Sequence, residues 1–240
     1  MKKSYAVVTG ASSGIGECFA RRLAKEGYSL VLVARRKERL NRLADELKAE
    51  GTHVVIETAD LSKKDECLHL MSALGDKRIG VFINNAGFGD CGRFADTSLD
   101  KDLDMIDVNI RAVHILTKLV LRKMRSQGGG YLLNVASSAG LIPAGPYMAT
   151  YYASKAYVAS MTRAVARELR EEGIKSGVRY LGINFPKDIC KACGASGVFD
   201  ICPVCKSKDV TRIRRVSGYL EILDGFTSGK KHEVETRTTN

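Results

Sequence analysis

The strongest constraint on the fold is a regular alternation of short apolar runs with amphipathic segments over the first three-quarters of the chain. Apolar runs of strand length occur at YAVVTG, YSLVLVAR, HVVIETAD, IGVFINNAG and YLLNVASS. Between them, apolar residues recur at helical spacing, as Leu40, Leu43 and Leu47 do. Because each connecting helix must pack back onto a sheet face, this alternation predicts an α/β fold with a doubly wound parallel sheet.

The same periodicity predicts five helices. They cover residues 14–26, 37–50, 64–74, 101–125 and 151–172. After about residue 174 the helical period is lost, and glycine, cysteine and lysine become more frequent. We therefore expect one domain over residues 1–178 and a second, smaller one over residues 179–240, although VRYLGINF at the boundary has the composition of a sixth strand.

Composition places the chain among globular proteins. Its 240 residues are 45% hydrophobic and 27% charged. No apolar run approaches the roughly 20 residues that a membrane-spanning helix needs. The start, MKKSYAVVTG, passes directly into a glycine-rich turn, which argues against a signal peptide. We expect a cytoplasmic protein with no membrane partner.

The formal net charge of +11 has two readings. A basic, solvated surface accounts for it, and so does attraction to polyanions such as phosphorylated cofactors or nucleic acid. The basic clusters RRKERLNR and KSKDVTRIRR lie in different segments and need not form one patch. Three scattered cysteines, Cys18, Cys67 and Cys91, are expected to be reduced and buried.

A glycine-rich turn, TGASSGIG, follows the first predicted strand and opens the first predicted helix. Gly10, Gly14 and Gly16 would permit a tight turn and close approach of the backbone to a pyrophosphate. The helix N-terminus would add N–H groups and the positive end of its dipole. A glycine trio at a strand end is also compatible with a plain turn, and this spacing differs from G-x-G-x-x-G.

Five separated motifs together resemble the short-chain dehydrogenase/reductase family. They are TGASSGIG, NNAG at residues 84–87, Asn109, Ser138 and YYASK at residues 151–155. They occur in the order and spacing of that family, and the match covers about residues 4–175. The resemblance implies a Rossmann-like fold that binds NAD or NADP, and oxidoreduction of a small-molecule carbonyl or alcohol.

The resemblance also implies a set of cofactor contacts in three segments. The turn would supply Gly10, Ser12, Ser13, Gly14, Ile15 and Gly16. Asp60 and Leu61, after the third strand, resemble contacts to the adenine edge. Asn85, Ala86 and Gly87 resemble the wall beside the adenosine.

The end of the second strand bears on the choice of cofactor. A carboxylate there would bind the ribose hydroxyls of NAD and repel a 2′-phosphate. The sequence has VLVARRKE instead, with Arg35 and Arg36 directly after the strand. Two guanidinium groups suit a phosphate, so NADP is favoured over NAD. One of these arginines could equally begin a solvated helix.

Tyr151 and Lys155 are four residues apart on a predicted helix and therefore share a face. An adjacent ammonium stabilises a phenolate, which makes tyrosine a usable acid or base. By resemblance, Tyr151 exchanges a proton with the substrate oxygen, and Lys155 also holds the nicotinamide ribose. Ser138 would hydrogen-bond the substrate oxygen, and Asn109 would hold a water in a proton relay. His114, in an apolar helix, is expected to be a packed residue.

The resemblance breaks after the expected sixth strand. The family carries a proline-glycine turn there, followed by a substrate-covering segment, whereas here Lys187 follows Pro186. The segment that would close the nicotinamide pocket is missing, so the Rossmann-like domain is expected to be truncated. We expect this to impair turnover more than cofactor binding.

Four cysteines in CKACGASGVFDICPVC form two C-x-x-C pairs. Cys190, Cys193, Cys202 and Cys205 can complete a tetrahedral zinc site in a small zinc-ribbon-like module. Disulfides are the alternative in an oxidising compartment, and a redox C-x-x-C would not need the second pair. A segment this small has little core, so bound metal would supply much of its folding energy.

From about residue 177 the chain is similar to the C-terminal end of an anaerobic ribonucleoside-triphosphate reductase. The similarity rests on RYLGINFP, the cysteine pairs, RIRRVSGYL and GKKHEVETR. RVSGYL resembles the glycyl-radical motif, which implies a radical position at Gly218 and a radical activase as partner. The chain thus resembles a dehydrogenase joined to a reductase tail. A natural fusion, an engineered one and an error of gene assembly all account for the junction.

Three functions compete on this sequence. The first is an NADP(H)-dependent oxidoreductase, and the second is a radical module carried on a foreign domain. The third is a zinc-ribbon nucleic-acid binder that uses the basic run at residues 206–215, but the tail has few aromatic residues for base stacking. If the chain is an oxidoreductase, we expect a homo-oligomer formed through the long helices.

Overall fold

The computed structural model describes residues 4–141, 145–171, 187–193, 196–197, 201–216 and 219–222. The chain divides into two compact units, residues 1–183 and 184–240. The sequence-based boundary at residues 178 and 179 stays a prediction. Among the described residues, no helix combines the length and apolar character that a bilayer crossing requires.

The first unit contains a five-stranded parallel sheet in the order β3-β2-β1-β4-β5. The strands are β1 (Tyr5–Thr9), β2 (Ser29–Ala34), β3 (Val54–Thr58), β4 (Ile79–Asn84) and β5 (Tyr131–Asn134). The strand order reverses between β1 and β4, which places a crevice at the carboxyl ends of these two strands. Nucleotides bind at such a switch point in open α/β sheets.

The helices of the first unit follow the strands in alternation. They are α1 (Gly14–Lys25), α2 (Lys37–Ala49), α3 (Lys64–Ala73), α4 (Leu99–Ile106), α5 (Val113–Ser126) and α6 (Ala149–Glu171). A π-helical segment, Asp107–Ala112, joins α4 to α5. The long helix predicted over about residues 101–125 is present as a continuous helical run, and the π-helical segment in its middle, which contains Asn109, was not predicted.

Both faces of the parallel sheet are covered. Val7, Val31 and Phe82 pack under α3 and α5, whereas Val8 and Leu32, from alternate positions, pack under α1 and α2. Successive side chains of a strand point to opposite faces, so a strand buried on both sides reads as a continuous apolar run. The predicted doubly wound, Rossmann-like sheet is confirmed.

The second unit contains a four-stranded antiparallel sheet in the order β7-β6-β8-β9. Its strands are β6 (Lys187–Cys190), β7 (Ser196–Gly197), β8 (Val210–Val216) and β9 (Tyr219–Ile222). β6 ends at Cys190, and a turn follows over residues 191–193. The predicted sixth strand, VRYLGINF, lies outside the described residues.

Candidate active site and candidate metal centre

The glycine-rich turn between β1 and α1 lies against the NNAG segment that follows β4. Gly10 has a φ of +67°, and a Cβ there would lie 2.8 Å from Nδ2 of Asn85 and 2.9 Å from Cα of Ala86. A side chain at Gly10 is excluded both by its φ and by this close approach. Glycine at this position therefore allows the turn to pack directly on the NNAG segment.

The N-terminus of α1 faces this turn. The helix begins at Gly14, and Ser13 precedes it in an extended conformation without a side-chain cap on the first turn. The first N–H groups of a helix have no partner within the helix and carry the positive end of its dipole. The N-terminus of α1 at Gly14, Ile15 and Gly16 thus has the electrostatic character that suits an anion.

Arg36 is held over the same turn. Its guanidinium donates hydrogen bonds to Oγ of Ser12 at 3.0 Å and to Oγ of Ser13 at 2.8 Å. Arg35 is exposed beside it. The structure thus brings together one arginine and two hydroxyl groups from segments 23 residues apart, an arrangement that suits a phosphate.

The predicted adenosine contacts lie at the same edge of the sheet. Leu61 is buried after β3, and Oδ1 of Asp60 accepts hydrogen bonds from the backbone N–H and the hydroxyl of Ser62. The N–H groups of Asn85 and Ala86 both donate to Oγ1 of Thr9, at 2.9 and 3.0 Å. Thr9 therefore fixes the start of the NNAG segment next to Gly10.

Tyr151 and Lys155 lie in the first turns of α6. Lys155 is 6% exposed, and its Nζ lies 5.8 Å from the centroid of the Tyr151 ring. Nζ also donates a 3.1 Å hydrogen bond to the carbonyl of Val135, just beyond β5. A buried ammonium is costly unless it is hydrogen-bonded, and this carbonyl supplies one partner.

Ser138 begins a short turn of 3₁₀ helix, Ser138–Gly140, that packs against α6. A Cβ at Gly140 would overlap the backbone carbonyl of Lys155, so the turn and the helix are in close contact. The hydroxyl of Ser137 caps the turn by accepting a hydrogen bond from the N–H of Ala139 at 3.2 Å. The turn that begins at Ser138 therefore packs against the backbone of α6 at Lys155.

Asn109 is fully buried in the π-helical segment. Its Nδ2 donates to the carbonyl of Phe88 at 2.8 Å and to Oγ of Ser154 at 3.1 Å, and its Oδ1 accepts from the N–H of Phe88 at 3.1 Å. Both amide hydrogens are therefore used by protein partners. A water in the predicted relay would have to bind another atom of this segment.

A cleft opens beside Tyr151, and sequence reasoning did not find its other walls. The segment after β4 and the segment before α6 meet there through a 2.8 Å hydrogen bond from the N–H of Gly92 to the carbonyl of Tyr147. The cleft is shallow, with a volume of about 10 Å³, and its lining includes Asp90, Phe94, Met105, Tyr147 and Met148. No motif marks these residues, because two distant segments form the cleft.

Two sequence-based expectations about single residues are wrong. His114 is not packed: it is exposed, and its Nδ1 lies 2.7 Å from the hydroxyl of Tyr157. Cys18 and Cys91 are exposed, whereas Cys67 is buried as expected. Helical periodicity places a residue on one face of a helix, but it does not say whether other parts of the protein cover that face.

Burial has an electrostatic consequence at Cys67: it raises the pKa of the thiol to about 11.

The four paired cysteines of the second unit converge. The sulfur atoms of Cys190, Cys193, Cys202 and Cys205 all lie within 4.8 Å of one another. The Cys190 and Cys205 sulfurs are 3.4 Å apart, and those of Cys193 and Cys202 are 3.6 Å apart. These distances exceed a disulfide bond. Zinc–sulfur bonds of about 2.3 Å in a tetrahedron separate the sulfurs by about 3.8 Å, so the cluster fits zinc.

Backbone N–H groups around this cluster favour thiolates. The N–H of Cys205, followed by that of Val204, lowers the pKa of Cys202 to about 6. The N–H of Cys193 lowers the pKa of Cys190 in the same way. At Cys205 the N–H of Ser207 acts to lower the pKa, but hydrogen bonds with the Cys190 and Cys193 thiols raise it overall. Backbone N–H groups therefore favour the thiolate, the form that binds metal, at Cys190 and Cys202.

Comparison with known proteins assigns the larger part of the chain. The family model for short chain dehydrogenase matches residues 4–183. The chain belongs to the short-chain dehydrogenase/reductase family. The model for anaerobic ribonucleoside-triphosphate reductase matches residues 155–239, so the two matches overlap over residues 155–183. Both resemblances found in the sequence are confirmed.

Similar proteins from this family are known in sequence and in structure. A very-long-chain 3-oxoacyl-CoA reductase from Anas platyrhynchos is 37% identical over 177 residues, which cover 71% of this chain and 56% of that protein. The chain spans about half the length of the curated relatives it matches.

Two solved structures are similar to this one. A short-chain dehydrogenase from Sphingobium yanoikuyae in complex with NADPH has a TM-score of 0.68 and 36% identity, covering 74% of this chain and 69% of that one. A family member from Burkholderia phymatum in complex with NAD has a TM-score of 0.71 and 32% identity, covering 77% and 66%. Similar structures thus hold either NADPH or NAD.

Proposed function

We propose that the chain is an NADP(H)-dependent oxidoreductase that interconverts a carbonyl compound and the corresponding alcohol. The observation that carries this proposal is the buried Lys155 ammonium next to the Tyr151 ring, which itself lines an open cleft. A carbonyl substrate in that cleft would lie within reach of an acid that the neighbouring cation supports. The cleft is formed by the segment that follows NNAG and by the start of α6, so it adjoins the segment predicted to contact the cofactor.

Within this proposal the residues have separate tasks. The bound nicotinamide supplies or accepts the hydride. Tyr151 donates its phenolic proton to the carbonyl oxygen as the hydride reaches the carbonyl carbon, and the product is an alcohol. Lys155 stabilises the phenolate that remains, and Ser138 holds the substrate oxygen in place. In the oxidation direction, the phenolate of Tyr151 removes the hydroxyl proton.

We propose NADP as the preferred cofactor, with binding at Gly10, the N-terminus of α1 and the Arg36–serine group. Arg36 donates to the hydroxyls of Ser12 and Ser13, which would present its guanidinium to a 2′-phosphate at this turn. Arg35, exposed beside it, adds a second positive charge. A carboxylate, which would favour NAD, does not occur at these two positions.

The wall of the cleft is mixed in character. Phe94, Met105 and Tyr147 contribute apolar or aromatic side chains, and Asp90 and Asp102 contribute carboxylates. The Anas platyrhynchos relative is named for a very-long-chain 3-oxoacyl-CoA. From this relative and the apolar part of the wall, we propose a ketone that carries a hydrocarbon chain or ring.

The test is a titration with NADPH and NADH, followed by NADPH oxidation with cyclohexanone, decalone and a long-chain oxoacyl thioester. We expect tighter binding of NADPH and reduction of at least one apolar ketone. Tyr151→Phe should remove turnover and leave NADPH binding unchanged, whereas Tyr157→Phe, which removes a hydroxyl from the same helix, should affect neither. A folded protein that binds neither cofactor at millimolar concentration would contradict the proposal.

For the second unit we propose a structural zinc site held by Cys190, Cys193, Cys202 and Cys205. The converging sulfurs and the match to the reductase family favour it. Metal analysis should find one zinc per chain, and cobalt substitution should give the absorption of a tetrahedral tetrathiolate. Cys205→Ser should lower zinc retention, whereas Cys18→Ser, at an exposed cysteine on α1, should not.

The radical function remains a proposal for the tail alone. Gly218 lies outside the described residues, and the match to residues 155–239 is what favours it. Anaerobic treatment with an S-adenosylmethionine-dependent activase should produce a doublet radical signal, and oxygen should then cleave the chain at Gly218. An intact chain with a silent spectrum would rule this function out.

A further inference from the structure

Ser154 is a fully buried hydroxyl between the two predicted catalytic residues Tyr151 and Lys155. Its Oγ donates a 2.8 Å hydrogen bond to the carbonyl of Tyr151 and accepts a 3.1 Å hydrogen bond from Nδ2 of Asn109. Neither contact is part of the proton transfer proposed above. Together these two contacts tie the backbone carbonyl of Tyr151, in the first turn of α6, to Asn109.

The chain of hydrogen bonds continues beyond Asn109 to the segment after β4. The Asn109 amide binds both the N–H and the carbonyl of Phe88, as one strand would bind another. Phe88 is flanked by Gly87 and Gly89. The first turn of α6, the π-helical segment and the residues after NNAG are thus connected through the side chains of Ser154 and Asn109.

Through this connection, two glycines lie close to Tyr151 and Lys155. A Cβ at Gly87 would lie 2.9 Å from Oδ1 of Asn109 and 3.3 Å from Nζ of Lys155. A Cβ at Gly89 would lie 3.0 Å from Cδ2 of Tyr151. The segment therefore forms a wall beside the tyrosine ring and the lysine ammonium, at which a side chain in place of either glycine would be crowded.

We infer that Ser154 is a positioning residue for the proposed reaction: it ties the Tyr151 turn, through Asn109, to the Phe88 backbone and so sets where Tyr151 and Lys155 face the substrate. The inference rests on the proposed function. Without the Ser154 hydroxyl, one Asn109 amide hydrogen loses its acceptor and the Tyr151 carbonyl loses its side-chain donor, so the link between the tyrosine turn and the Phe88 backbone is broken. A misplacement of about 1 Å can reduce a rate by about 100-fold.

The test uses three variants of the full chain. Ser154→Ala removes the hydroxyl, Ser160→Ala is the same change at an exposed position of the same helix, and Ser154→Thr restores a hydroxyl. With the best ketone from the panel above, Ser154→Ala should lower kcat about 10- to 100-fold and change KM for ketone and NADPH less than about 3-fold. Ser154→Thr should recover most of kcat, and Ser160→Ala should match the unsubstituted protein.

Hydrogen exchange gives a readout that needs no turnover. Ser154→Ala should speed amide exchange in peptides that cover residues 85–91 and 150–156, and Ser160→Ala should not. If Ser154→Ala proves too unstable, Ser154→Cys, which keeps the shape with a weaker hydrogen bond, should show the same pattern to a smaller degree. An unchanged kcat or unchanged exchange at residues 85–91 in the folded variant would overturn the inference. An unsubstituted protein with no ketone reduction would contradict the proposed function instead, and exchange would still decide the Ser154 link.

Discussion

The two units of the chain reach order by different physical means. The first buries both faces of a parallel sheet under helices, with fully buried side chains such as Phe82, Leu30 and Leu32. In the second, among residues 190–193 and 201–209, the buried side chains are those of Cys190 and Cys202. A large domain can be stabilised by apolar burial alone, whereas a small one usually needs a metal or disulfides. The comparison predicts that each unit fails under a different perturbation.

Metal removal should have the largest effect. Chelation should unfold the second unit, since binding of zinc and folding of a small cysteine-ligated module are one equilibrium. Hydrogen exchange measured peptide by peptide should show the loss of protection after residue 187, with NADPH binding of the first unit largely unchanged. If chelation also abolished NADPH binding, the two units would be one cooperative structure.

The opposite test creates a cavity in the core of the first unit and asks whether the second unit is affected. Phe82→Ala, in the middle of β4, should cost about 3–5 kcal/mol of unfolding free energy because it removes a fully buried ring. Zinc retention should be unchanged. Leu68→Ala, at an apolar residue of α3 that is 40% exposed, is the control and should cost less than about 1 kcal/mol by denaturant titration. Loss of zinc from the Phe82→Ala variant would contradict the expectation that the two units unfold independently.

Removing the positive charge of Arg36 at the glycine-rich turn should have a smaller effect, which is confined to cofactor binding by the first unit. Arg36→Ala removes the group that spans Ser12 and Ser13, so we expect NADPH binding to weaken about 10- to 100-fold while NADH binding changes little. Fluorescence titration measures both. Arg42→Ala, at an exposed arginine on α2, should leave the preference intact. Equal weakening of the two cofactors by Arg36→Ala would assign the arginine to the turn rather than to the 2′-phosphate.

The smallest effect concerns Cys67 and appears only at high pH. The pKa of this thiol is raised to about 11 in the folded protein from 9.0, so its neutral form favours folding. That contribution is complete below pH 9 and is lost as the pH rises from about 9 to 11. Cys67→Ala should flatten this part of the stability profile. Alkylation at pH 8 should label Cys18 and Cys91 well before Cys67, and equal rates would contradict the burial of its thiol.

Much of the first unit could be predicted from sequence because its signals are local. Apolar runs such as SLVLVA became strands buried on both faces, and Leu40, Leu43 and Leu47 became the buried stripe of α2. Local spacing also placed Tyr151 and Lys155 on one helix and brought Gly10 to the end of β1. The spacing of the two C-x-x-C pairs also predicted that the four cysteine sulfurs lie close together, because each pair presents two thiols on one turn.

Other features depended on contacts between distant segments, which spacing does not encode. The π-helical turn at Asn109 interrupts a sequence with an unbroken helical period, and it coincides with side-chain contacts to Phe88 and Ser154. The exposure of His114 follows from the helix surface on which it lies, and the cleft walls Phe94 and Tyr147 come from segments more than 50 residues apart.

The sequence by itself determined the order of strands and helices, the glycine turn, the Tyr151–Lys155 pair and the ligand set of the cysteine cluster. Each of these depends on residues within one turn, one strand or one helix, where backbone geometry converts spacing directly into position. Only the tertiary structure decided that Arg36 reaches Ser12 and Ser13 and that Ser154 is linked through Asn109 to Phe88. These contacts join segments that meet only after the sheet has formed, because the packing of α6 and α2 against it sets which side chains come within hydrogen-bonding distance.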